Sequence, residues 1–310
     1  MFALLLLAIF ICSNAFIMPA TREMGRNRRL MSVPSDLLGK VSANLEKGSI
    51  VVIKYGGHAM EDENLAHHFC EDVVELKRMG MCPVVVHGGG PQIKAMLTQM
   101  KVESNFVNGL RVTDSETMNV VQMVLSGRVN KNIVGTISSQ AGVRGAVGLC
   151  GLDGALIKAR RINADLGLVG EPTIVDGTLL NDLINLDLIP VVAPIGFEEA
   201  SKGSFNPLNI NADTAAGAVA QALSARSFLM MTDIAGVLNK DKVLMKEIES
   251  SAFESLKADG TISGGMIPKL ETATQTVDAG VGEVSIFDGR ERHALLKALS
   301  GENFGTRIIP

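Results

Sequence analysis

Ile50-Val51-Val52-Ile53-Lys54-Tyr55-Gly56-Gly57 decides how the rest of the chain is read. Four consecutive apolar residues suit a strand covered on both faces, as in a parallel sheet, rather than one with an alternating solvated face. Lys54 closes the run, where a charge costs free energy unless it meets an anion. A solvated strand-end lysine is the plainer reading. The two glycines turn the chain beyond the strand and expose backbone N–H groups.

Similar apolar runs recur at Pro83 to His87, Ala146 to Cys150, Ile189 to Ala193, Phe228 to Met231 and Val284 to Phe287. Most are followed by amphipathic segments: Glu61 to Met79 and Asp114 to Ser126 read as helices, the second with Thr113 as its cap. Asn209 to Leu223 runs from a strand end into an alanine-rich helix. This alternation gives an α/β fold with a largely parallel central sheet between helical layers, its ligands bound beyond the carboxyl ends of the strands. Shorter alternating pieces from Leu156 to Ile174 read as hairpins at the sheet edge. The expected divisions are a presequence over residues 1–34, a short helix over 35–47, an N-lobe over 48–193 and a C-lobe over 194–310.

Two further glycine turns matter. His87-Gly88-Gly89-Gly90 follows a strand and opens a helix at Pro91, and Gly264-Gly265 precedes Lys269 in a late helix. A glycine run alone is often only a tight turn. An esterase oxyanion hole also uses His-Gly-Gly-Gly, but no Gly-x-Ser-x-Gly nucleophile elbow accompanies it. No P-loop and no Gly-x-Gly-x-x-Gly dinucleotide turn occurs either. Anion binding by paired glycine turns, with Gly56-Gly57 as the second, needs no further partner. The lysines and the cluster Asn209-Ile210-Asn211-Ala212-Asp213 then complete a set suited to phosphate, although Asp213 and its asparagines also suit a plain helix cap.

The chain has 310 residues and a formal charge of -4. Phe2 to Cys12 is apolar and uncharged, and Arg22, Arg26, Arg28 and Arg29 follow it against Glu23 alone. The run is short for a membrane span and reads as removable targeting sequence, with an uncleaved anchor as the alternative. Loss of residues 1–30, with four arginines and one acid, takes the charge from -4 to -7. Such an acidic body argues against sequence-independent nucleic-acid binding. Cys70, Cys82 and Cys150 have no metal-ligand spacing and read as small apolar residues in a reducing compartment.

The motifs together resemble the amino-acid kinase family, and within it the members that phosphorylate the side-chain carboxylate of N-acetylglutamate in arginine synthesis. The resemblance runs from Ile50 to Ile309. Besides the strand-end turns already quoted, it rests on Gly109-Leu110-Arg111-Val112-Thr113, Asn209 to Asp213, Thr232-Asp233-Ile234-Ala235-Gly236-Val237-Leu238 and Gly264 to Lys269. It implies a three-layer, carbamate kinase-like sandwich. Lys54 and Lys269 would bridge the transferring phosphoryl group, Asp213 would orient them, and Gly57 and Gly89 would donate N–H bonds to it and to the acceptor. Arg111 would grip the acceptor's α-carboxylate, with Gly88, Gly89 and Asn209 lining its site. Gly56, Gly57, Thr232, Asp233, Gly236, Val237 and Leu238 would join both lysines at ATP. Mg²⁺ would be held by the nucleotide, without a protein metal site.

The first thirty residues are similar to the signal-plus-transit presequences of algae with secondary plastids, which implies a plastid stroma and no membrane association after processing. The family implies a homodimer, with a hexamer open through the helix over Ser35 to Lys47 and a PII-type regulator known among relatives. Departures occur at Leu152, where arginine-sensitive members carry Lys, and after His293, where Lys297-Ala298-Leu299 breaks their C-terminal pattern. The resemblance therefore does not extend to arginine inhibition. A catalytically inactive relative and another amino-acid kinase are the alternatives.

Overall fold

Ile50–Tyr55 forms strand β1, buried from its second residue onward, and it lies in the middle of an eight-stranded sheet. The computed structural model describes residues 33–107, 109–199 and 206–310. Apart from its last two residues, the expected presequence lies outside them. Residues 34–310 pack as one unit.

The later strands are β2 (Cys82–His87), β3 (Phe106–Val107), β4 (Leu110–Arg111), β5 (Ala146–Cys150), β6 (Ile157–Arg161), β7 (Val169–Val175) and β8 (Ile189–Ala193). They continue with β9 (Ile195–Glu198), β10 (Pro207–Ile210), β11 (Ser227–Thr232), β12 (Glu247–Glu249), β13 (Val284–Asp288) and β14 (Thr306–Ile309). The helices are α1 (Ser35–Asn44), α2 (Glu63–Arg78), α3 (Gly90–Met100), α4 (Ser115–Gln122) and α5 (Asn130–Ser138). After them come α6 (Thr178–Asn185), α7 (Ala212–Ala222), α8 (Phe253–Ala258), α9 (Met266–Asp278) and α10 (Ala294–Leu299).

The main sheet has the order β12-β14-β13-β11-β1-β2-β8-β5. It is parallel from β13 to β5, while β14 runs antiparallel to β13 and carries β12 beside it. One layer groups α2, α5, α10 and α1, and the other groups α7, α9 and α8. This is the expected three-layer α/β sandwich. Small residues Ala215, Ala216 and Ala220 of α7 let that helix approach Val52, Val84 and Phe228 of the sheet closely. Truncating so large a core residue as Phe228 to alanine costs about 3–5 kcal/mol in typical cores.

Register places the functional turns. Tyr55 pairs with His87 and Lys54 with Val86 on one side, and Lys54 with Met230 on the other. The turns after β1, β2 and β11 therefore emerge side by side at the carboxyl edge.

Three expectations require correction. The pieces over Leu156 to Ile174 do pair antiparallel, as β6 and β7, but they join β9 and β10 in a separate closed four-stranded sheet, not the edge of the main one. Alternation was the right signal; inward residues such as Ile157, Ala159, Val169, Leu208 and Ile210 are all buried, and most of them pack into the same apolar cluster as Val52, Val84 and the α7 alanines. The cap of α4 is Asp114, whose carboxylate accepts from Thr117 N at 2.8 Å; Thr113 instead turns its hydroxyl to the Arg111 carbonyl at 2.8 Å. Nor does that helix stop at Ser126. It passes through a π-helical segment, Met123–Val129, into α5.

Candidate active site

Asp213 sits in the first turn of α7, where a carboxylate complements the helix dipole. The cap itself is Asn211, whose side chain accepts from Asp213 N at 2.8 Å and Thr214 N at 3.3 Å. Asp213 is thereby free for another task. Lys54 Nζ lies 3.0 Å from its Oδ1, and Lys269 Nζ donates to its Oδ2 at 2.7 Å. Burial works against charge on Asp213, but the two ammonium groups outweigh it and hold the carboxyl at about 2. Lys269 belongs to the first turn of α9, an unfavourable place for a cation unless an anion answers it.

Lys54 stands over the first glycine turn. A Cβ on Gly56 would come within 2.7 Å of Lys54 Nζ. Gly57 has φ +74, and a Cβ there would meet Asp233 Oδ1 at 2.5 Å. Gly88 N donates to the Tyr55 carbonyl at 2.7 Å, which ties the second turn to the first. Tyr55 itself stacks on Phe69 with centroids 3.7 Å apart and donates its hydroxyl to the Ala59 carbonyl at 2.8 Å. The buried ring thus anchors the segment that follows Gly56-Gly57.

Beyond Gly88 opens a cavity of about 190 Å³, lined by Gly88, Gly89, Gly90, Arg111, Asn209 and Asn211 among others. Arg111 is buried to 7 % exposure, which lowers its guanidinium from the ordinary value without neutralising it. It lies 4.6 Å over the Phe106 ring, donates to Ser104 Oγ and reaches the Gly90 carbonyl at 3.2 Å. Asn209 donates to Thr113 Oγ1 at 3.1 Å. A rigid cation at one wall and an amide at another fit a small carboxylate-bearing molecule.

The sequence-derived site residues therefore fall into groups. Lys54, Asp213, Lys269, Gly56, Gly57 and Gly88 converge, and Asp233 joins them at Gly57. Arg111, Asn209 and Gly89 line the adjoining cavity. Thr232 ends β11, with its carbonyl accepting from Gly289 N at 2.9 Å. Gly236 and Val237 turn toward Thr306, which accepts from Val237 N at 2.8 Å, and Leu238 is exposed and bridged to Leu244. A larger cavity, about 930 Å³ between α2, α3 and α5, is reached by neither Arg111, Asn209 nor the Gly88-Gly89-Gly90 turn; these line the smaller one, whose wall continues through Asn211 and Ala212 to Asp213 and its lysines. Among the described residues no three His, Cys, Asp or Glu side chains could jointly hold a metal ion, and none of the helices is long and apolar enough to cross a membrane. Cys70 and Cys150 are buried thiols and Cys82 is half-buried.

Sequence reasoning missed Tyr55, Phe106 and Asn130. Their signals were weak: a lone tyrosine after a charged strand end, an aromatic five residues before Arg111, and an asparagine inside a helix.

The arrangement can bind a terminal phosphate between two cations and place a carboxylate opposite it, without a general base. The family model described as "Amino acid kinase family" matches residues 49–288. An acetylglutamate kinase of Sphingopyxis alaskensis is 49 % identical over 88 % of this chain and 96 % of its own. One from Rhodospirillum rubrum is 50 % identical over 84 % of this chain and 87 % of its own. Among solved structures, the carbamate kinase of Giardia lamblia bound to AMP-PNP superposes with TM-score 0.62 at 19 % identity, covering 84 % of this chain and 98 % of its own, which speaks for the fold alone.

Proposed function

Because this chain belongs to the amino acid kinase family, we infer that it is an acetylglutamate kinase: it phosphorylates the side-chain carboxylate of N-acetyl-L-glutamate with ATP, in arginine biosynthesis. The observation that carries the chemistry is Asp213 held between Lys54 and Lys269, at 3.0 and 2.7 Å, beside a cavity walled by Arg111 and Asn209.

In the reaction a carboxylate oxygen of the acceptor forms a bond to the γ-phosphorus of ATP as the bond to the β,γ-bridging oxygen breaks, giving an acyl phosphate and ADP. An ionised carboxylate carries no proton to remove. Lys54 and Lys269 offset charge on the equatorial oxygens of the moving group. Asp213 fixes where their ammonium groups stand, and N–H groups of Gly57 and Gly89 complete the cradle. Arg111 binds the α-carboxylate with its planar fork, and Asn209 meets the acetamido end. On the nucleotide side are Gly56, Thr232, Asp233 and the segment to Leu238.

Mg²⁺ fits this site through the nucleotide, since it keeps several waters and prefers phosphate oxygens to an all-protein cage. It would neutralise part of the charge on the β- and γ-phosphates.

Delivery to a plastid stroma is proposed on the composition of residues 1–30 alone. A homodimer is the assembly we favour over a hexamer. The apolar face of α1 is spent within its own chain: Leu37, Val41 and Leu45 are buried, α1 packs on α10, and Asn44 donates to the Leu299 carbonyl at 3.2 Å.

A coupled ADP assay on protein beginning near Ser35, offering acetylglutamate, glutamate and aspartate separately, tests the substrate. ADP release is expected with acetylglutamate. Equal release with glutamate or aspartate contradicts the reading.

A further inference from the structure

His87 is fully buried beneath the second glycine turn. Its Nδ1 lies 2.7 Å from the Gly88 carbonyl, and a carbonyl only accepts, so Nδ1 carries the proton. Its Nε2 lies 3.2 Å from Asn130 Nδ2. That amide nitrogen also faces the carbonyls of Val191 at 2.9 Å and Leu149 at 3.3 Å, which identifies it as the donor, while Asn130 Oδ1 accepts from Lys131 Nζ at 3.1 Å. The contacts leave the imidazole one neutral tautomer. Burial favours the same state and brings the ring down to about 4, with Lys131 adding to the effect.

We propose that His87 and Asn130 are positioning residues that lock the peptide between Gly88 and Gly89, so that the Gly89 N–H faces the acceptor cavity. The proposal deepens, and rests on, the phosphotransferase reading. A trans peptide points its C=O and the following N–H in opposite directions; with the Gly88 carbonyl tied to the buried ring, the Gly89 N–H is turned away from it. Glycines on both sides make this peptide easy to flip. A flipped peptide would present a carbonyl to the acceptor's carboxylate and replace attraction by repulsion. His87 prevents the flip, and Asn130 prevents His87 from taking the other tautomer, in which Nδ1 has no proton to give.

The scaffold is shaped for this relay. Asn130 comes directly after the π-helical segment Met123–Val129, whose wider turn redirects the residues after it. Gly148 of β5 leaves the room Asn130 needs, because a Cβ there would collide with Asn130 Oδ1.

The test compares His87→Leu with His87→Asn, whose side-chain amide can supply a donor near the place of Nδ1 while lacking the Nε2 acceptor. His87→Leu is expected to lower kcat roughly 10- to 100-fold, with the KM for ATP held within about twofold. His87→Asn is expected to recover most of kcat although both variants lose the link to Asn130 and melt at similarly lowered temperatures. Equal loss of kcat in the two variants, or full kcat in His87→Leu, overturns the proposal. Nitrogen-15 NMR of the wild-type imidazole supplies a readout independent of turnover: His87 should stay neutral with its proton on Nδ1 from about pH 6 to 9, and a proton on Nε2 would overturn the relay. Wild-type protein that forms no ADP would sink the phosphotransferase reading, whereas an active wild type with an unimpaired His87→Leu variant sinks only the positioning role.

Discussion

Lys269 Nζ and Asp213 Oδ2 stand 2.7 Å apart although 56 residues separate them in the chain. The contact joins the first turn of α9 to the first turn of α7 and faces one cation toward Lys54 across a shared carboxylate. Each lysine is thereby held where a phosphate can replace part of its pairing with Asp213.

Removing either cation should damage turnover more than binding. Lys54→Ala is expected to lower kcat by roughly 10²- to 10³-fold, with ATP affinity, measured by calorimetry, changed far less. Lys54→Arg should not restore the rate, because the space beside Nζ is closed by Gly56 and a guanidinium is broader than an ammonium.

Asp213 carries a pH signature. Its carboxyl is held at about 2 against an ordinary 3.8, so the folded state favours the ionised form. That contribution is complete above about pH 4 and fades as pH falls toward 2. It amounts to roughly 2 kcal/mol. Asp213→Asn should therefore unfold in less urea than the wild type at pH 7, with the gap narrowing in acid. A constant gap from pH 7 down to 2.5 would contradict the assignment.

His87 has the opposite charge type but a related consequence. Its folded value is depressed to about 4 from 6.5, so the unfolded chain takes up a proton first as pH falls. Stability is lost across the window from about 6.5 to 4, by about 3 kcal/mol in all. His87→Leu should flatten the urea midpoint against pH within that window.

Arg111→Ala is expected to raise the KM for acetylglutamate by roughly 10- to 100-fold, with kcat little changed at saturation. Arg111→Lys should resemble it, since a lysine cannot reach Ser104 and the Gly90 carbonyl with one planar group.

Gly57→Ala should depress turnover without unfolding the protein. At φ +74 an alanine is strained, and its methyl would press on Asp233 Oδ1. Kinetics and thermal melting measured side by side separate the two effects.

What could be read from the sequence followed burial. β1, β2, β8 and β11 each carry a run of apolar residues because the sheet is covered on both faces, with polar residues such as Lys54, His87 and Thr232 toward their carboxyl ends, and each was visible as a run. β12 and β14 were not, since three or four residues including Glu247, Glu249 and Arg307 at a sheet margin leave no such run. Lys54 and the glycine turns after β1 and β2 were legible because strand ends announce them, and Lys269 because a glycine pair opens its helix. Asn130 was not: its importance comes from Leu149 and Val191, carbonyls of two distant strands, and nothing beside it in the sequence marks that meeting. Asp114 outcompeted Thr113 as a cap for a tertiary reason as well, because Thr113 is fully buried and serves Arg111 and Asn209.

The most direct measurement is trapping of the product. Incubating the protein with ATP, Mg²⁺ and N-acetylglutamate in hydroxylamine should yield the side-chain hydroxamate of acetylglutamate in amounts matching the ADP released, because only an acyl phosphate reacts so readily. The Lys269→Ala protein, folded by its melting curve, should yield almost none. ADP released without hydroxamate, or undiminished hydroxamate from the Lys269→Ala protein, would contradict phosphoryl transfer between the two lysines.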